Sequence, residues 1–152
     1  MKRMKLYEAD DKMIDLISDN YSMLQGLSAF GIRLGFGDKT VSEICEQQGV
    51  DCYTFLTVVN FLINGYAPKE IDGKVSVSTL LNYLRASHRY FLVYQLPAIR
   101  KKLEETLSKD NNLDILILKL YDSYANDIRK HMKYEDKTLK LRSEERRVGK
   151  EC

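Results

Sequence analysis

The chain has 152 residues, 44% hydrophobic, 30% charged and 10% aromatic, the profile of one soluble domain or two very small ones and not of a disordered or fibrous chain. Lys and Arg total 24 against 22 Asp and Glu, and a formal charge of +2 supplies no field strong enough to gather nucleic acid or an anionic membrane. No run approaches the roughly 20 apolar residues of a membrane span, and Cys45, Cys52 and Cys152 are wrongly spaced for a disulfide framework, so the composition reads as a cytoplasmic protein.

Helical periodicity nearly throughout, with only Pro68 and Pro97 to interrupt it, predicts an all-α fold. A small helical N-terminal domain is expected over residues 10–65. Within it, Lys12 to Phe30 carries Met13, Leu16, Ile17, Met23, Leu24, Leu27 and Phe30 at helical spacing, with Asp19-Asn20 as the break and cap between two short helices. The glycines of Gly31-Ile32-Arg33-Leu34-Gly35-Phe36-Gly37 stop helix there. Thr40 with Glu43 three residues on has capping-box spacing and opens a helix that Gly49 ends. Asp51 caps the next, Cys52 to Asn64, and the stretch Gly65 to Lys74 reads as a connection.

Residues 76–140 predict a long antiparallel helical hairpin. Leu80, Leu81, Leu84, Phe91, Leu92, Leu96, Ile99, Leu103 and Leu107 keep a three-to-four spacing, and His88 falls inside that stripe. Pro97 should kink the helix, because it cannot donate to the carbonyl four residues back. After a turn at 108–112, Leu113, Ile117, Leu120, Tyr121, Tyr124 and Ile128 repeat the pattern, and His131, Glu135 and Leu139 continue it. From Arg142 the period lapses, and residues 142–152 read as a non-native or disordered tail.

With the turn near residue 110, His88 and His131 stand at similar depths on antiparallel helices and can face each other. Glu135 lies one turn beyond His131 on the same face. An imidazole pair and a carboxylate suit a divalent transition metal. A histidine alone on an apolar face is more often a hydrogen-bonded core residue, so structural histidines are the competing reading. A glutamate on that face, however, is costly unless it is paired or binds metal.

His88 ahead of Tyr90-Phe91 and Leu96-Pro97, followed by Ile128-Arg129-Lys130-His131-Met132-Lys133-Tyr134-Glu135-Asp136, resembles the first half of a hemerythrin domain. The resemblance implies an up-and-down four-helix bundle holding a non-haem di-iron centre, with His88 and His131 on one iron and Glu135 bridging both. The family's third and fourth helices have no counterpart here, so the resemblance implies half of the ligand set and an incomplete chain. The preceding stretch, Ile17 to Ile63, is similar to the small helical domain before hemerythrin in iron–sulfur cluster repair proteins. Where that family has paired cysteines this chain has Leu34-Gly35-Phe36-Gly37, and Cys45 alone matches.

The expected function is therefore hemerythrin-like iron binding, in oxygen or nitric-oxide stress response or iron–sulfur cluster repair, with metal ions as partners and a homodimer through the hairpin as a way to complete the site. The alternative is a non-enzymatic regulatory or interaction module, since Thr40 to Phe61 has the spacing of a helix-turn-helix. Its second helix carries no Lys or Arg from Asp51 to Ile63, which argues against specific DNA binding. No phosphate loop, dinucleotide fingerprint, four-cysteine zinc pattern or nucleophile beside a histidine is present, so nothing assigns catalysis.

Overall fold

The computed structural model describes residues 5–65 and 74–151, with side chains through Glu145. The fold is all-α. In chain order the helices are α1 (Met13–Asp19), α2 (Met23–Ala29), α3 (Val41–Gln48), α4 (Cys52–Asn64), α5 (Val77–Tyr90), a π-helical segment Phe91–Gln95, α6 (Leu96–Thr106) and α7 (Asn112–Glu151). Among the described residues, no helix is long and apolar enough to cross a membrane. Most of the expected connection, residues 66–73, lies outside the described residues, as does Cys152.

The chain divides into two compact units, Met1–Ser87 and His88–Cys152. The division falls inside α5, later than the glycine- and proline-marked stretch at 65–74. The reason lies in two contacts of the first unit. The Ser76 N–H donates to Thr54 Oγ1 at 2.7 Å, and the Tyr83 ring stacks on Phe30 with centroids 4.4 Å apart. The first turns of α5 thus pack with the helices before them.

The first unit has a closed apolar core. Met13, Leu16, Leu27, Val41, Phe55 and Val59 are fully buried in it, and Phe30 meets Phe55 edge-on at 5.1 Å. Thr40 caps α3 as the sequence predicts, its Oγ1 accepting the Glu43 N–H at 3.2 Å, and Asp51 Oδ2 accepts the Thr54 N–H at 3.0 Å to cap α4. Gly49 ends α3 at φ +68°, a left-handed turn that costs an L side chain strain. Asp19-Asn20 does break α1 from α2, but neither residue caps α2. Asp19 instead accepts from the Tyr7 hydroxyl and the Lys5 ammonium, and Asn20 Nδ2 donates to the Tyr7 hydroxyl oxygen.

The second unit pairs α6 with α7. The Ser108 N–H donates to Asp114 Oδ2, Arg100 binds Asp122 and His88 binds Asp136, so residue numbers fall on one side as they rise on the other, and the two run antiparallel. In the predicted helix from Ser76 to Leu107, Pro97 takes effect just upstream of itself. It sits in the first turn of α6, and the N–H of Leu96 reaches back five residues to the Phe91 carbonyl, the widened turn of a π-helix. α7 continues through Glu151, past Arg142 where a tail outside the fold was expected. Arg142, Glu144 and Glu145 are good helix formers, and no stop signal separates them from the preceding turns.

Candidate metal centre

α5 ends in the turn that carries His88, and α7 carries His131, Glu135 and Asp136. These four side chains meet within the second unit. His131 Nε2 lies 2.8 Å from Glu135 Oε1, a contact the i, i+4 spacing of one helix face makes available. His88 Nε2 lies 3.7 Å from the other carboxylate oxygen, Glu135 Oε2. The opposite nitrogen of the same ring, Nδ1, is 2.8 Å from Asp136 Oδ1. Glu135 thus lies between two imidazoles from two helices, and His88 is hydrogen-bonded through Nδ1 while its Nε2 faces the glutamate.

The three residues singled out from the sequence are brought together, with one change of register. His88 stands opposite Glu135 and Asp136, about one turn beyond His131. A count from a turn at residue 110 puts the two histidines level. The turn is set differently, because Asp114 accepts the Ser108 N–H and so the first turn of α7 lies alongside the end of α6.

Accessibility is graded across the cluster. The His88 side chain is 13% exposed, Asp136 35%, Glu135 43% and His131 71%. One imidazole is therefore fixed inside the helix pair, while the other stands on its open face. Among the described residues, no group of three or more His, Cys, Asp or Glu side chains is gathered so as to hold a metal ion. The contacts account for this: each histidine addresses its own oxygen of Glu135, so the donors are linked through the carboxylate and do not converge on one point.

By donor type alone the set suits a divalent transition metal. Two imidazoles and a carboxylate are the donors of mononuclear non-haem iron sites, and an imidazole whose second nitrogen is tied to a carboxylate is the form in which metal-binding histidines are usually found. Three donors do not complete the shells of two metal ions.

Asp136 carries little signal of its own in the sequence. It lies beside Glu135 and off the apolar stripe, and the only signal for it was an acid adjoining the H-x-x-x-E spacing. Near the other end of the helix pair, Arg100 binds Asp122 through Nε at 2.7 Å and also pairs with Glu104. The Asp122 carboxyl is consequently held below the usual aspartate range. The Tyr121 hydroxyl donates to the Leu96 carbonyl. These contacts hold α6 to α7 without entering the histidine cluster.

Among the described residues the cysteines, Cys45 and Cys52, belong to the first unit. Burial, and next the neighbouring Cys52, push the Cys45 thiol up to about 12, so it stays protonated and behaves as a small core residue. No protein-family model, curated protein or solved structure matches this chain.

Proposed function

We propose that this chain is a hemerythrin-like metal-binding protein in which His88, His131 and Glu135 form one side of a non-haem iron centre, of the kind that serves oxygen or nitric-oxide response or iron–sulfur cluster repair. What supports the reading most directly is the sharing of Glu135. Its Oε1 faces His131 Nε2 at 2.8 Å and its Oε2 faces His88 Nε2 at 3.7 Å, so a carboxylate able to bridge lies between two imidazoles able to ligate.

In this reading His88 is the anchored donor, because its ring is largely enclosed and its Nδ1 is engaged. His131 is the accessible donor and completes the set from the exposed face of α7. Glu135 balances charge and links the two. Bound iron would supply a redox-active Lewis acid for a diatomic ligand. A second iron would need donors beyond these three residues.

The alternative is a non-enzymatic interaction module whose histidines are structural. The direct His131–Glu135 and His88–Asp136 contacts favour it, since they leave these side chains paired without any metal. Iron content separates the two. After anaerobic reconstitution with ferrous iron and desalting, elemental analysis should find iron retained by the wild type and largely lost in His131→Ala and Glu135→Ala. Equal iron in all three proteins would overturn the metal reading and leave the structural one.

A further inference from the structure

His88 Nδ1 lies 2.8 Å from Asp136 Oδ1 and its Nε2 lies 3.7 Å from Glu135 Oε2. A neutral imidazole has one N–H and one lone pair, and the partner of the first nitrogen decides which nitrogen keeps the lone pair. A carboxylate can only accept. Asp136 is within hydrogen-bond distance of Nδ1 and Glu135 is beyond it from Nε2, so in the neutral ring the proton sits on Nδ1 and the lone pair on Nε2, the nitrogen that faces Glu135.

We infer that Asp136 is a positioning residue that selects the His88 tautomer and fixes its ring so that Nε2 is presented as a donor toward Glu135. This deepens the proposed metal reading, on which its consequence for binding rests. The tautomer itself does not depend on that reading.

The alternatives for Asp136 are weaker. As a surface acid at helical spacing it would need only solvent, yet its carboxylate is turned onto a ring on another helix, 48 residues away in sequence. As a ligand in its own right it would face an imidazole lone pair, but its near partner is Nδ1, whereas Nε2 faces Glu135. Orientation is the role that both contacts of the ring share.

Two readouts on the full chain test this. The first is long-range 1H–15N correlation of the histidine rings in metal-free protein, read at alkaline pH on the neutral rings. His88 in the wild type should show the Nδ1–H tautomer. In Asp136→Leu it should move toward Nε2–H, with His131 as an unchanged internal reference, and in Asp136→Asn, whose amide oxygen still accepts, Nδ1–H should be largely retained. A His88 tautomer indifferent to Asp136→Leu would overturn the inference.

The second readout is cobalt(II) binding followed by its visible absorption. Loss of an orienting carboxylate typically weakens a site about 10–100-fold, and that drop is expected for Asp136→Leu, with partial rescue by Asp136→Asn. Glu135→Ala should abolish cobalt binding and leave the His88 tautomer as it is. A tautomer that moves while cobalt affinity stays unchanged would overturn the orienting role. A wild type that takes up no cobalt would overturn the metal reading instead, with the tautomer of His88 still deciding what Asp136 does.

Discussion

Asp19 binds the Tyr7 hydroxyl at 2.8 Å and the Lys5 ammonium at 3.0 Å, and these two donors, the hydroxyl first, hold its carboxyl below the ordinary value of 3.8. A group whose folded-state value is lowered binds protons more weakly in the native than in the unfolded chain. Its stabilising effect is complete above the unfolded value and is lost as pH falls from there through the lower folded value. Acid titration of the urea midpoint should therefore slope downward below about pH 4, and Asp19→Asn should flatten that slope while lowering the midpoint at neutral pH. An unaltered slope in the variant would show that Asp19 contributes nothing to acid sensitivity. None of this was legible in the sequence, where Asp19-Asn20 has the form of a helix cap. A cap is read from neighbours, whereas this contact depends on the segment around Tyr7 returning beside α1. His88, His131 and Glu135 were legible for the opposite reason: they are polar residues at positions where the period demands apolar ones. Asp136 breaks no such pattern, and only the register of two helices reveals it.

At the scale of elements, the period located the helical stretches but gave one helix where α5, the π-helical segment and α6 follow one another, and the capping residues Thr40, Asp51 and Gly49 marked ends that the structure keeps. The π-helical segment is not legible in the sequence, although its cause, Pro97, is. Pro97 has no N–H, so the Val93 carbonyl loses its usual partner four residues on, and the wider hydrogen bond from Leu96 to Phe91 absorbs the misfit. Widened turns of this kind are frequent at functional sites, and this one begins three residues after His88. Pro97→Ala restores the missing donor. The expected result is an α-helical 91–95, seen as a slowly exchanging amide at position 97 bonded to Val93, together with a higher melting temperature. Because narrowing the turn changes the register between His88 and Leu96, cobalt affinity should fall in the same variant even as helix stability rises. Retention of the π-helical exchange pattern in Pro97→Ala would place the cause of the wide turn elsewhere than at the proline.

Across the whole molecule the two units differ in how much apolar surface they enclose. The first buries a continuous cluster from Tyr7 to Val59. In the second, only Leu96 and Ala125 among the described apolar residues are fully buried, while Leu113, Leu120 and Tyr124 are each 62% exposed. Those three share the face of α7 that also carries His131 and Glu135, so the stripe that the period identified as apolar runs into the accessible half of the donor cluster. Periodicity shows which face of a helix is apolar but not what covers it, and for that reason the stripe reads in the sequence as core. A contiguous exposed apolar face marks an association surface, and a second copy laid on it would cover the stripe and bring a second pair of histidines and a second glutamate beside the first. Light scattering during gel filtration should accordingly give a dimer whose population rises with protein concentration. Leu120→Lys, which sets a charge in the middle of the stripe, should shift it to monomer. Thermal unfolding offers an independent check, since a unit stabilised by association melts at a concentration-dependent temperature and one with its own core does not. Two phases are expected, of which one moves with concentration in the wild type and stays fixed in Leu120→Lys; a monomer with a concentration-independent melt would mean that the stripe has no partner in a second copy.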